Sequence, residues 1–275
     1  MTTPSTTPYP VAGVLPERAL IGMVHVGPLP GTPFHAGESM ELFAARAADD
    51  AKALARAGFD AIIVENMHDR PYVHGDRLGP ETTAYMTRLV MEVIAAADLP
   101  IGVQILSGGN RHSLGVAHAT GAQFIRCENF VYSHVADEGI LLEAEAGPLL
   151  RFRKHIGAQH IPIFCDIKKK HASQALTADL SIGQFAEGAK FFGADGLVIT
   201  GSSTGHPTSL ADVKEAAKAS GLPVLVGSGA NPDDAAELLT AASGLIVGSY
   251  IKRDGDWTNS VDPERAAALV KAARG

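Results

Sequence analysis

The chain has 275 residues, 46% hydrophobic and 19% charged, a balance that fits a globular protein with a large core and excludes a disordered or fibrous one. A formal net charge of -7, with no face gathering the 23 Lys and Arg residues, excludes a general nucleic-acid binder but leaves room for a small anionic ligand held by local donors. No apolar run reaches the roughly 18 residues of a membrane span, and Cys127 and Cys165 fit no metal-binding spacing, so buried free thiols and a cytoplasmic location are expected.

Taken in order, residues 1–18 read as a flexible leader, rich in Thr, Ser and Pro up to Pro10 and without the basic start or apolar stretch of a signal peptide. Residues 19–275 read as one repeating domain. Strand 1, Leu20 to Val26, runs into a rigid loop, Gly27 to Pro33, with three prolines and two glycines. Helix 1 opens near Glu38-Ser39 and stops at Gly58. Strand 2, Ala61 to Glu65, precedes a polar loop from Asn66 to Pro80, and helix 2 covers about 81–97. Strand 3 is expected at 101–106, helix 3 up to Thr120, strand 4 at 123–128 and helix 4 near 141–155. Strand 5 follows at 161–167, helix 5 at 182–192, strand 6 at 197–200 and helix 6 at 210–219. Strand 7 is Val224 to Val226, with Asn231-Pro232 expected to cap helix 7, and strand 8 is Leu245 to Val247, with Asp262-Pro263 opening the last helix. Eight strand–helix units without a break in composition predict an α/β chain folded as a single (β/α)8 barrel.

Nearly every strand ends at a polar, charged or glycine-rich cluster, which places the chemistry at the carboxyl ends of the strands. If His25, Glu65, Glu128, Asp166 and Thr200 face inward, alternation puts Met23, Ile63, Arg126, Phe164 and Val198 inside the barrel below them. Four of those five are apolar; Arg126 needs a partner such as Glu128 or Asp166. A carboxylate closing an apolar strand is costly to bury without a role or a partner, so His25, Glu65 and Asp166 are candidate acid/base groups, weighed against plain ion pairs and a backbone-bonded histidine ring. Period two also sends Asp166, Lys168 and Lys170 to one side, making Lys168, Lys170 and His171 candidate catalytic groups, while Lys169 reads as part of a solvated loop.

Thr200-Gly201-Ser202, Gly227-Ser228-Gly229 and Gly248-Ser249 end the last three strands. Glycine lets backbone N–H groups approach an anion and the hydroxyls add donors, so these positions read as a phosphate grip against the plainer alternative of tight turns. Thr204-Gly205-His206-Pro207 lies where a loop would fold over the ligand. The loop from Asn66 to Arg77 carries His68, Asp69, His74 and Asp76, which leaves a divalent metal open although no tight metal spacing occurs. The cofactor is otherwise unknown, and barrels that associate through helical faces allow a homo-oligomer.

The segment Ile21-Gly22-Met23-Val24-His25-Val26-Gly27-Pro28-Leu29-Pro30-Gly31-Thr32-Pro33 resembles the opening of the BtpA/SgcQ family. Val64-Glu65-Asn66, Phe124-Ile125-Arg126, Asp166 to Ala172, Thr200 to Gly205 and Gly227-Ser228-Gly229 extend the likeness in order over about residues 19–273. The resemblance implies a TIM barrel of the ribulose-phosphate-binding kind, with Asn66, Gln104, Arg126 and Glu128 beside the strand-end glycines as substrate-binding candidates. It also implies two lines of function, since the family's name comes from photosystem I biogenesis while other members resemble sugar-operon enzymes. Where the family reads Asn-Val-Leu-Arg-Asn-Asp after strand 3, this chain has Gln104 to Asn110 with Ser107 at the arginine, and Glu128 replaces an asparagine. Loss of the arginine and gain of a carboxylate point to a less anionic substrate head. The expectation is therefore an enzyme on a small phosphorylated metabolite, a sugar phosphate or nucleotide-like molecule, of lyase, isomerase or glycosidic hydrolase type. Its alternatives are a non-catalytic assembly factor for a membrane complex and a metal-dependent hydrolase.

Overall fold

The computed structural model describes residues 11–169, 172–201, 208–227 and 229–275. Eight parallel strands close into a barrel: β1 (Ala19–His25), β2 (Ala61–Glu65), β3 (Ile101–Gln104), β4 (Phe124–Cys127), β5 (Ile163–Ile167), β6 (Gly196–Ile199), β7 (Val224–Val226) and β8 (Gly244–Val247). Each strand pairs with its neighbours in sequence, and the β1–β8 register from Ala19↔Gly244 to Gly22↔Val247 completes the ring. Helices α1 (Met40–Ala57), α2 (Pro80–Ala96), α3 (Asn110–Thr120), α4 (Ala146–His155), α5 (Ile182–Phe191), α6 (Leu210–Ser220), α7 (Ala235–Leu238) and α8 (Pro263–Arg274) follow the strands in turn. Because every strand is parallel, all eight carboxyl ends meet at one rim.

Local chemistry sets several boundaries where the sequence places them. Ser39 caps α1 by accepting from the Leu42 N–H, and Gly58 ends it at φ +92°, a left-handed turn that a Cβ disfavours. Asp262 accepts from the N–H groups of Glu264 and Arg265 ahead of Pro263. Three boundaries differ. Asn231-Pro232 opens a turn instead of a helix: the Asn231 side chain accepts from the Asp233 N–H, and α7 begins only after Asp234. Helix 4 begins only at Ala146, and the expected loop before it joins a small antiparallel sheet, His134–Ala136, Gly139–Leu141 and Ala172–Ser173, whose strands are too short to show a period. The leader also ends earlier than expected. Val11 and Leu15 bond to one another, Leu15 is fully buried, and both join the apolar cluster inside the barrel as a plug.

The interior follows the predicted alternation. Met23, Ile63, Phe124, Phe164, Val198, Leu225 and Ile246 form one cluster inside the strands. The two phenylalanines meet edge to face at 5.7 Å. They fit because the adjacent strands carry glycine: a Cβ on Gly102 would lie 2.3 Å from the Phe124 ring, and one on Gly196 would lie 2.4 Å from Phe164. Gly196→Ala is therefore expected to cost about 1–3 kcal/mol in urea unfolding. Phe164→Leu should cost less in that background than in the native sequence, and equal costs would show that the ring and the glycine do not share the space.

Candidate active site at the carboxyl rim

Above the phenylalanine layer lie Arg126 and Asp166, each two residues further along its strand. The Arg126 guanidinium donates through Nε and Nη2 to the two Asp166 oxygens at 3.0 and 2.8 Å, which settles which carboxylate answers this inward arginine. Burial would pull the arginine pKa down, and the Asp166 carboxylate overrides it and raises the pKa. Thr200 and Gly201 continue the rim beyond β6, and both are buried.

His25 closes β1 beside Glu65, its register partner on β2. Its Nδ1 lies 3.0 Å from the Trp257 carbonyl oxygen, and its Nε2 lies 3.5 Å from Glu65 Oε2. A carbonyl only accepts, so Nδ1 carries the proton and Nε2 presents a lone pair toward Glu65. Burial, then the nearby Lys252 ammonium, pull the His25 pKa down to about 3, so the ring is neutral at physiological pH. Lys252 is itself fully buried on Asp50 at 2.9 Å, and Asp50 also accepts from the Val261 N–H at 2.8 Å. That pair ties the loop after β8 to α1 and so fixes the Trp257 carbonyl.

A second polar group lies above β3 and β4. Glu128 Oε1 accepts from Lys169 at 2.9 Å, and its Oε2 accepts from the Gly108 N–H at 2.9 Å and the Ser107 hydroxyl at 3.3 Å. Glu138 shares Lys169 at 3.6 Å and takes a short bond from Ser107. Burial opposes ionisation of Glu128, and Lys169 more than offsets it, so the carboxyl titrates below its usual range. Gln104, ending β3 two residues past the inward Gly102, is buried with its Oε1 unbonded among the described residues.

Several site expectations change. Lys168 does not join Asp166: β5 ends at Ile167, Lys168 has φ +48°, and its ammonium turns to the Leu180 carbonyl and the Phe185 ring at 5.1 Å. Lys169, expected to be solvated, takes the buried place. Asn66 is a brace between loops: its Oδ1 accepts from the Leu106 N–H at 2.7 Å, and its Nδ2 donates to Asp69 at 2.8 Å, while Asp69 accepts from the Leu29 N–H. Gly227 spends its N–H on the Ile199 carbonyl and so offers no donor; its value is space, since a Cβ there would lie 2.5 Å from Val198 and 3.4 Å from Arg126. Gly229 has φ +82° and is exposed, as is Ser249, and a Cβ on Gly248 would stand 3.5 Å from His25. Lys170, His171, Ser202 and Ser228, with the segment from Ser203 to Pro207, lie outside the described residues. Among the described residues no three His, Cys, Asp or Glu side chains gather as a metal site, and no helix is long and apolar enough to cross a membrane. Both cysteines are buried and unpaired.

The model of the BtpA family matches residues 16–275. The chain belongs to the BtpA family. It is 42% identical to an uncharacterised mitochondrial protein of Caenorhabditis elegans, over 93% of each chain. It is 35% identical to the photosystem I biogenesis protein BtpA of Synechocystis, over 93% of this chain and 88% of the relative. Among solved structures it resembles orotidine 5'-monophosphate decarboxylase of Methanocaldococcus jannaschii (TM-score 0.61, 13% identity, 94% of this chain and 100% of that one). It also resembles N-(5'-phosphoribosyl)anthranilate isomerase of Pyrococcus furiosus (TM-score 0.54, 14% identity, 94% and 99%). Those likenesses, in sequence so distant, concern the TIM-barrel fold alone.

Two outcomes follow from the site. Arg126→Leu leaves Asp166 buried without its cation and is expected to cost about 3–5 kcal/mol in urea unfolding, with part regained when Asp166→Asn is added. An additive pair of losses would show that the two side chains are not coupled. The His25 ring titrates near 6.5 when unfolded and about 3 when folded. Below pH 6.5 the unfolded chain thus binds a proton that the folded chain does not, and stability falls as the pH drops through that window, by about 1.4 kcal/mol per unit at most for one such group. His68, pulled down to about 4 by burial and then by Arg70, acts in the same direction. The fall in Tm from pH 7 to pH 5 is expected to be shallower in His25→Asn, which keeps a donor for the Trp257 carbonyl; an unchanged slope would mean that His25 is charged in the folded protein.

Proposed function

We propose that this BtpA-family barrel is an enzyme acting on a small phosphorylated metabolite by acid/base chemistry at its carboxyl rim. The observation that carries this reading is the contrast around the rim. The ends of β1 to β5 present His25, Glu65, Gln104, Arg126 and Asp166, while β7 and β8 end in small residues, Gly227 packed against Val198 and Gly248 with only ordinary contacts around the place of a Cβ. Loops after the last two strands are where barrel enzymes commonly hold a phosphate. Gly229, Gly248 and Ser249 would supply the donors. Barrel enzymes such as orotidine 5'-monophosphate decarboxylase, phosphoribosylanthranilate isomerase and thiamine phosphate pyrophosphorylase carry phosphorylated compounds in their names, which agrees with the reading.

In this role the neutral His25 accepts a proton through Nε2, with Nδ1–H held by the Trp257 carbonyl, and Glu65 exchanges the proton as its neighbour. The Arg126–Asp166 pair holds a fixed, internally balanced dipole below the reacting atoms. Anchoring the phosphate away from the reacting carbon supplies orientation. The buried thiols of Cys127 and Cys165 fit a reducing compartment such as the cytoplasm.

A second reading, an assembly factor, draws on the name of the Synechocystis relative and on Phe191 and Phe192, 85% and 52% exposed in ring contact at the end of α5. A thermal-shift comparison separates the two. Gly248→Asp places a carboxylate at the rim where a Cβ meets only ordinary contacts, so the fold should persist. Ribose 5-phosphate or glucose 6-phosphate at a hundredfold excess over Kd should stabilise the native chain by about 2.7 kcal/mol and leave Gly248→Asp unshifted. If no phosphorylated compound shifts the native chain, the phosphate reading fails and the assembly reading takes its place.

A further inference from the structure

Three rim loops bring flat side chains together on one side of His25. The loop after β8 supplies Trp257, the chain's single tryptophan, half-buried. The loop after β2 supplies His68, whose ring centroid lies 5.0 Å from the indole, and Arg70, whose exposed guanidinium lies 4.8 Å from it. The loop after β1 supplies Phe34, 58% exposed, whose centroid lies 5.4 Å from the same guanidinium. His25 meets the indole edge on at 6.2 Å and is bonded to that residue's carbonyl. The result is a wall in the order Phe34, Arg70, Trp257, His68, held in place by the buried Lys252–Asp50 pair and by the Asn66–Asp69 brace.

None of the acid/base chemistry described above uses this wall. Phe34 and Trp257 present large ring faces at the rim whose cover is a guanidinium and an imidazole, not apolar core. A guanidinium lying over both rings already shows that the wall accepts a flat, π-bound group. Its position relative to the glycines matters as much as its composition. Gly248 and Trp257 both adjoin His25, so the wall and the glycine rim border the same imidazole.

We infer that the wall of Phe34, Arg70, Trp257 and His68 is a subsite for a planar heteroaromatic ring, and that the ligand is a nucleoside monophosphate or a phosphorylated compound of the same plan. This inference rests on the phosphate reading above and narrows it from sugar phosphates in general to ring-bearing ones. The ring stacks on Trp257, taking the place of the Arg70 guanidinium or lying against it, and Arg70 is then free to turn its donors to an anionic edge of the ligand.

Trp257 is itself the probe, since no other tryptophan contributes to the emission. The full chain is titrated with adenosine 5'-monophosphate, uridine 5'-monophosphate, ribose 5-phosphate and adenosine, following indole fluorescence and, in parallel, calorimetry. Both nucleotides are expected to change the emission and to bind about tenfold or more tighter than ribose 5-phosphate, the range that one stacked base contributes. Phe34→Ala, at an exposed position, should erode that preference while leaving the affinity for ribose 5-phosphate unchanged, and Trp257→Leu, followed by calorimetry, should erode it as well. If the nucleotides bind no tighter than ribose 5-phosphate, the ring subsite is overturned and the phosphate reading stands. If adenosine binds at the indole but ribose 5-phosphate does not bind, the subsite stands and the phosphate grip falls. If none of the four binds, both are overturned.

Discussion

The candidate site rests on a packing constraint two layers deep. Phe124 and Phe164 fill the barrel centre because Gly102 and Gly196 on the flanking strands leave them the volume. Protein interiors are packed at crystal-like density, so this exchange of ring for glycine cannot be relaxed at one position alone. Two residues further along each strand, the same geometry sets Arg126 and Asp166 on an apolar floor. A charged pair over phenylalanine rings loses most of its water, and two-point bonding is what keeps it there. The rim is consequently shaped from below by rings and glycines before any loop contributes to it.

The loops then settle the protonation states. Burial alone makes a histidine neutral, but the direction of the His25 lone pair is decided by a carbonyl from the other end of the chain. The loop that carries it is tied down by a lysine with no exposure, paired to an aspartate on α1. Breaking the Lys252–Asp50 pair would free the loop and remove the cation that, after burial, does most to disfavour a second positive charge on His25. One buried ion pair thereby links the mechanical fixing of the loop to the electrostatics of the ring.

The fold was legible because strand alternation and strand-end chemistry repeat eight times: Met23, Ile63, Phe164 and Val198 lie in the interior cluster, and Arg126, the one polar member of the expected inward set, faces inward on Asp166. Alternation failed where the strand did. It holds only while φ and ψ stay extended, so Lys168 at φ +48° reversed the prediction for itself and for Lys169. Glu138 escaped notice because it lies on the turn of a sheet with strands of two or three residues, where no period can show. Trp257, Arg70 and Phe34 are distant in sequence and meet only through ring closure; a solitary tryptophan in a strand-end loop was the one local sign. Gly227 illustrates a subtler limit, since its sequence context is that of a phosphate loop while its N–H is already committed to Ile199.

The departures from the family pattern acquire a physical meaning at the same corner. At the two positions where the resemblance implies an arginine and an asparagine, Ser107 and Glu128 bond to each other. Glu128 also takes the Gly108 N–H and the Lys169 ammonium, so its charge is answered inside the protein and not by a ligand. Among the described residues, an anion approaching over β3 and β4 would meet Glu128 and Glu138 around Lys169, an unfavourable field. Over β7 and β8 it would meet small residues and backbone. The Ser107–Glu128 pair therefore disfavours an anion over β3 and β4 and leaves the glycine side, which also carries Trp257, for the phosphate proposed above.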